Sequence, residues 1–412
     1  MVDKTKDQYP LGAKMWKRAI RAIPGGNGLL SKRPDRYAPD IWPSYFSKSS
    51  GVKVIDLDGN QFIDMAQMGI GSSILGYANK ELTNSIVETM KDGVNCTLNA
   101  PEEVLLAEKL INLNPFASGV RFAKTGGEAM NIAVRISRAA TGRDKILFSG
   151  YHGWNDWYLA ANLRSEDGLD EHLIPGLSTK GVPAGLINTA IPFTYNSPSD
   201  LERVVSENTD AAAICIEGAR YDFPSSEFLN TVSKLAQKHN MIIISDEITS
   251  GFRMTDGGVY KLNGFAPDIV VYAKALGGGY PIAAILGTDD VMYAAQDTFM
   301  SSTMWTERVG FAAALSTLEI LTRDRVWEHL IKIGNLIGDG WISLAKKHNL
   351  KITITDFKPL ITMKFDYGDA NQILATLFIQ EMLNRGYLAA TSVYVSYAHN
   401  EEIVSQYLEA VD

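Results

Sequence analysis

The sequence predicts an α/β protein, with a mostly parallel sheet flanked by helices and a smaller α+β domain beside it. From about Val120 to Gly287, short apolar runs alternate with helical stretches: Val120-Arg-Phe-Ala, Lys145-Ile-Leu-Phe, Ala211-Ala-Ala-Ile-Cys-Ile, Met241-Ile-Ile-Ile, Ile269-Val-Val-Tyr and Ala283-Ala-Ile-Leu. Strands apolar on both faces belong to a parallel sheet covered by helices. Outside this region the pattern changes. Val52-Lys-Val-Ile-Asp-Leu and Gln61-Phe-Ile-Asp-Met flank Asp58-Gly59, a turn pair that favours a tight hairpin. Near the C-terminus, Lys351-Ile-Thr-Ile-Thr, Leu360-Ile-Thr-Met-Lys-Phe and Val393-Tyr-Val-Ser-Tyr read as strands, with amphipathic helices at about Asn371–Arg385 and Glu401–Ala410.

Composition narrows the function classes. The 412 residues are 46% hydrophobic and 21% charged, enough to bury a large core. Lys plus Arg number 39 against 47 Asp plus Glu, and the net charge of −8 opposes general attraction to nucleic acid or to an anionic membrane. A small-molecule partner is the leading class. The two cysteines, Cys96 and Cys215, form no CxxC pair and no Cys/His cluster, so the expectation is no metal and a reducing, cytoplasmic compartment. Met1–Asp7 is polar with no apolar segment behind it, and no run of about 18 apolar residues occurs, which gives the expectation of a soluble, unexported protein.

In a parallel sheet, ligands gather at the carboxyl ends of strands, so the polar residues that end the apolar runs are the place to seek chemistry. Met241-Ile-Ile-Ile-Ser-Asp246-Glu247 ends in two carboxylates, although a lone Asp there also suits a helix cap. Ile269-Val-Val-Tyr-Ala-Lys274 ends in a lysine followed by Gly277-Gly278-Gly279. A surface charge is the plain reading; the apolar strand and glycine loop favour a desolvated amine suited to Schiff-base chemistry. Ala213-Ile-Cys-Ile-Glu217 brings another carboxylate, which by itself fits a solvated strand end.

Thr125-Gly126-Gly127-Glu128 precedes a helix with apolar residues at Ala129, Ile132, Ala133, Ile136 and Ala140. Thr125 and Glu128 form a capping box, and the two glycines let an anion approach backbone N–H groups; an ordinary capped helix is the alternative. Neither GxGxxG nor GxxxxGK[ST] is present, which removes the main support for dinucleotide and nucleotide triphosphate binding. Ser149-Gly-Tyr151-His152-Gly153-Trp154 adds an aromatic able to stack on a planar ring.

A lysine, an acid, an anion-binding helix start and a stacking aromatic suit one ligand, pyridoxal 5′-phosphate (PLP). At these residues the chain resembles the class III aminotransferases, in their glutamate-1-semialdehyde aminomutase-like branch, over nearly its whole length. The resemblance is carried by Ile23-Pro-Gly-Gly-Asn, Ile55-Asp-Leu-Asp-Gly-Asn-Gln-Phe-Ile-Asp, Thr125-Gly-Gly-Glu-Ala, Thr141-Gly-Arg-Asp-Lys, Tyr151-His-Gly, Ser245-Asp-Glu-Ile-Thr-Ser-Gly-Phe-Arg, Lys274-Ala-Leu-Gly-Gly-Gly-Tyr-Pro and Ser302-Thr.

The resemblance implies the PLP-dependent transferase fold type I, with a seven-stranded sheet. It implies an N-terminal segment over 1–65, a large cofactor domain over 66–319 and a C-terminal part of the small domain over 320–412. Lys274 is then the Schiff-base lysine and proton carrier, and Asp246 the partner of the pyridine nitrogen, keeping it protonated. Thr125, Gly126 and Gly127 hold the phosphate, and Thr303 reaches the phosphate of the neighbouring subunit in a homodimer with shared sites. Tyr151 and Ile248 cover the two ring faces, and Glu217 lies near the ring hydroxyl and the lysine. Arg33 is the expected grip on a substrate carboxylate, with Lys32 equally close to that position and an exposed basic pair as the competing reading. Outside the resemblance, Arg220, in the altered segment after Gly218, is a second candidate substrate contact.

Four departures mark this chain. Gly127 stands where relatives carry a threonine, and Gly218 where the branch has proline. Trp305-Thr-Glu-Arg308 replaces a Ser-Gly-Asn-Pro type of segment. In the aminomutases, the stretch matching Ser392–His399 is longer and carries a gating glutamate, which is missing here. Retaining an intermediate needs a gate, so its loss favours ping-pong transamination between an amino donor and a keto or aldehyde acceptor. The alternatives are a 2,1-aminomutase, a decarboxylating relative, or a catalytically silent PLP-binding scaffold.

Overall fold

The computed structural model describes residues 9–165, 167–170 and 172–412. The stretch Met1–Asp7, on which the unexported reading partly rests, lies outside them. The chain divides into two compact units, one formed by residues up to Thr83 together with Glu328–Asp412, the other by Asn84–Trp327.

The second unit is built on the expected seven-stranded sheet. Its order is Gly119–Ala123, Ala283–Gly287, Ile269–Tyr272, Ile242–Asp246, Ala213–Glu217, Ile146–Ser149 and Ala190–Pro192. Ala283–Gly287 runs antiparallel to both its neighbours, and the remaining pairs are parallel. Ala190–Pro192, which the apolar runs did not reveal, is a three-residue edge strand; Pro192 lacks a ladder donor and suits an edge. The central strands are buried along their whole length because helices cover both faces: Ile146, Phe148, Ile214, Cys215, Ile244 and Val271 are inaccessible to solvent. Helix Gly126–Thr141 buries Ala129, Ile132, Ala133 and Ile136, as its spacing predicts, while Ala140 is exposed. Gly142 closes this helix in the left-handed region (φ 67°), where a side chain is disfavoured.

In the first unit, both ends of the chain meet in one sheet. Lys53–Asp56 pairs antiparallel with Gln61–Met65 across the Asp58-Gly59 turn, and Tyr387–Ala389 lies parallel to Gln61–Met65, with Tyr387 opposite Ile63. The turn is held by Asp56 Oδ1, which accepts from the N–H groups of Asp58 (2.9 Å) and Asn60 (2.8 Å), and Gly59 takes φ 88°. A second sheet joins Ile352–Ile354, Leu360–Phe365 and Ser392–Tyr394. Helix Val326–Lys347 packs with buried Trp341, whose indole N–H donates to Tyr407 Oη at 3.1 Å. Among the described residues no helix is long and apolar enough to cross a membrane.

Gly334 brings this helix against the carbonyl of Lys358, where an added Cβ would overlap backbone that cannot swing aside. Gly334→Ala should therefore destabilise the protein by about 1–3 kcal/mol despite alanine's better helix propensity. Thermal unfolding of the variant measures this; an unchanged or raised midpoint would show that the contact yields freely.

Candidate functional site

The chemistry-bearing residues of the second unit lie at one edge of its sheet, at or just beyond strand ends. Strand pairing sets Glu217 opposite Asp246, and Asp246 opposite Val271, three residues before Lys274. Thr125 and Tyr151 follow the ends of Gly119–Ala123 and Ile146–Ser149. A parallel sheet aligns its carboxyl ends, so residues far apart in sequence converge without any long loop.

Asp246 is 4% exposed and fully engaged. Its Oδ1 accepts from the Ile248 N–H at 3.0 Å, and its Oδ2 meets His152 Nδ1 at 2.8 Å. His152 is itself buried, with Nε2 at 3.2 Å from the Ser149 carbonyl and 3.7 Å from Cys215 Sγ. Burial opposes charge on this imidazole, but the Cys215 sulfur and the Asp246 carboxylate outweigh it and raise the His152 pKa well above its ordinary value. Burial pushes the Cys215 thiol up. The neighbouring Glu247 turns the other way. It receives Ser245 Oγ at 3.3 Å, the Tyr260 N–H at 3.1 Å and the Ser250 hydroxyl, and burial raises its pKa. A Cβ on Gly258 would lie 2.7 Å from its carboxyl carbon, and one on Gly218 would collide with it as well, which accounts for glycine at position 218.

Lys274 has φ 43°, an unusual backbone for a non-glycine residue, and its Nζ donates to buried Thr249 Oγ1 at 2.8 Å. Glu217 is paired with Arg220: Nε donates at 2.9 Å and Nη2 makes a second, shorter contact to the same Oε1. Burial raises the Glu217 pKa, yet the Arg220 guanidinium prevails and holds it below the usual carboxylate range. The other oxygen, Oε2, accepts from the Tyr151 N–H at 3.3 Å. Tyr151 and Ile248 are half-buried, and Tyr151 packs edge-on against Tyr158 at 5.8 Å.

At the helix start, Thr125 Oγ1 accepts from the Glu128 N–H at 3.3 Å, and Glu128 Oε2 accepts from Thr125 N at 2.9 Å and Lys124 N at 3.1 Å. The capping box read from sequence is thus present. A Cβ on Gly126 would approach Ile248 Cδ1 to 3.0 Å, so the helix start and the Asp246 strand end lie close together. Thr303 is exposed in the turn Thr303–Thr306. That turn is anchored by Lys124 Nζ on Glu307 Oε2 (2.9 Å) and by Trp305 Nε1 on Glu128 Oε1 (3.4 Å). Arg33 belongs to the first unit, where its guanidinium forks onto Asp35 at 3.1 and 3.0 Å; Lys32 is exposed.

PLP combines an aldehyde, a planar ring with a basic nitrogen, and a dianionic phosphate. The residues present fit it: a lysine amine, a buried carboxylate, half-buried Tyr151 and Ile248, and side-chain-free Gly126 and Gly127 at a helix start. The His152–Asp246 pair and the Thr249 partner of Lys274 were not legible in the sequence, since each joins residues on different strands or loops.

The family described as aminotransferase class-III matches residues 37–388. The chain is 30% identical to 3-aminobutyryl-CoA aminotransferase of Cloacimonas acidaminovorans (strain Evry), over 96% of this chain and 94% of the relative. It is 29% identical to glutamate-1-semialdehyde 2,1-aminomutase of Ruminiclostridium cellulolyticum, over 97% and 95%. The FumI protein of Sphingopyxis sp. MTA144, solved in its PLP internal aldimine form, superposes with a TM-score of 0.88 at 25% identity, over 97% of this chain and 94% of that one.

A raised His152 pKa makes a stability prediction. Its contribution is fully present below the unfolded value of about 6.5 and is lost as pH rises through the folded value. His152→Gln should therefore lower the melting temperature most at pH 6, with the gap to the parent protein narrowing as pH rises to 9. Scanning calorimetry of both proteins across that range measures it, and a gap that widens with pH would contradict a charged His152.

Proposed function

Because the chain belongs to the class-III aminotransferases, PLP-dependent enzymes that move an amino group between an amino donor and a keto or aldehyde acceptor, we propose that Lys274 and Asp246 are its catalytic pair. The supporting observation is the strand register that brings a buried, ion-paired carboxylate to the same sheet edge as the lysine. When bound, the cofactor supplies a carbonyl that takes the amine and a ring that accepts electrons as the substrate carbon loses its proton. Lys274 Nζ binds the cofactor, then takes and returns that proton, with Thr249 Oγ1 as its resting hydrogen-bond partner. Asp246 would pair with the ring nitrogen and keep it protonated, while His152 fixes the carboxylate's orientation. Gly126 and Gly127, with Thr125 capping the helix, would hold the phosphate, Tyr151 and Ile248 would cover the ring faces, and Glu217 would stand near the ring hydroxyl.

Arg220 is the substrate-carboxylate contact nearest these residues in the second unit, with Glu217 as its counter-ion before substrate arrives. Arg33, the other candidate for a substrate carboxylate, is held by Asp35 within the first unit. A donor bearing a carboxylate suits either arginine. The enzyme is a homodimer in which Thr303 serves the partner's phosphate; exposed Leu98, Phe299 and Met304 are apolar side chains that a second copy would cover. A reducing, cytoplasmic setting suits exposed Cys96 and buried Cys215, neither of which is in a disulfide.

The aminomutase reading draws on the relatives of that name. Against it, the stretch after Ser392 is tied down within its own unit: the Val395 N–H donates to Pro359 O, the Tyr397 N–H to Ile74 O, and His399 Nε2 meets Asp64 O at 2.9 Å. That leaves this stretch anchored rather than free to act as a gate.

Mixing the holoenzyme with α-, β- and ω-amino acids in turn should convert the visible aldehyde-form absorbance to the amine form with at least one donor, and a keto or aldehyde acceptor should restore it. Lys274→Ala should lose the bound-aldehyde band and about a thousandfold or more in turnover, the scale of a lost proton-transfer group. Turnover of a single semialdehyde without any donor would favour the aminomutase. Shared sites predict complementation in mixed dimers: subunits carrying Lys274→Ala and subunits carrying a bulky Thr303 replacement, each poorly active alone, should regain activity when refolded together. Failure to do so, with dimers formed, would place Thr303 outside the partner's site.

A further inference from the structure

We propose that the indole N–H of Trp154 is a donor to the cofactor phosphate, occupying the space left by the absent side chain of Gly127. This rests on the reading of residues 125–127 as the phosphate cradle. In that cradle the N–H groups of Gly126 and Gly127 take no partner among the described residues, and the Thr125 donors are already used: its N–H and hydroxyl both reach Glu128 Oε2, at 2.9 and 3.2 Å. Glu128 thereby sets a carboxylate beside a position meant for an anion. Two backbone N–H groups alone offset this weakly, and a further donor is needed.

The loop after Tyr151 supplies one. Gly153 has φ 107° and comes so near that a Cβ on it would lie 3.2 Å from Gly127 Cα, while Asn155 Nδ2 pins the loop by donating to Gly127 O at 2.6 Å. Trp154 is thereby carried to the helix start, where its Nε1 lies 3.1 Å from the point a Gly127 Cβ would occupy. The indole is 70% exposed, and its N–H has no partner among the described residues. An indole nitrogen is a donor only, so an anion is the partner that uses it best. A large exposed aromatic held by one close backbone approach and one hydrogen bond to Gly127, with its one polar atom at the helix start that carries two free N–H groups, makes a three-donor anion site. It also explains glycine at position 127: any side chain there would displace the ring.

The test compares PLP with pyridoxal, which lacks the phosphate. Dissociation constants of both are measured by equilibrium dialysis for the parent protein and for Trp154→Phe, which keeps an aromatic ring and removes the N–H. A lost hydrogen bond to a charged group should weaken PLP binding by about tenfold or more and leave pyridoxal binding unchanged, so the preference for PLP over pyridoxal falls by that factor. Equal weakening of both ligands, or of neither, overturns the proposal. Absence of PLP binding by the parent protein would instead overturn the cofactor reading itself.

Discussion

The parallel pairing of Ala213–Glu217 with Ile242–Asp246 is the constraint on which the site depends. One register sets Glu217 against Asp246, and the next strand brings Val271, and so Lys274 beyond it, into line. A slip of one residue would reverse every side chain between the two faces and carry Asp246 away from His152. The register is itself secured by burial, because each strand is apolar on both faces and a polar residue is admitted only where the apolar run ends.

Burying carboxylates side by side requires compensation, since an unpaired charge removed from water is strongly unfavourable. Each acid has a different answer. Asp246 is paired with a buried imidazole, Glu217 with a guanidinium three residues on, and Glu247, whose pKa burial raises, takes hydroxyl and backbone donors. The glycines follow from these choices: Gly218 and Gly258 leave room for the Glu247 carboxyl, and Gly150 for that of Glu217. In a protein of net charge −8, local pairing rather than overall charge makes the site hospitable to an anionic cofactor.

Several of the altered positions have structural partners within the second unit. Gly127 is matched by Trp154, Gly218 by Glu247, and the Trp305–Arg308 segment by Glu128, Lys124 and Glu102.

Residue order by itself determined the sheet, the Asp58-Gly59 hairpin, the capped helix at Thr125, and the lysine and acid as strand-end residues, because periodicity, turn chemistry and capping are local and are written in neighbouring residues. The short edge strand Ala190–Pro192 escaped this reading, having too few residues to show a period. Partnerships were decided only by the fold. That Asp246 takes His152 rather than solvent, that Glu247 points away from it, that Lys274 rests on Thr249, and that Trp154 lies over Gly127 all follow from strand order and register. Those join residues far apart in the chain, and no local pattern encodes the distance between them.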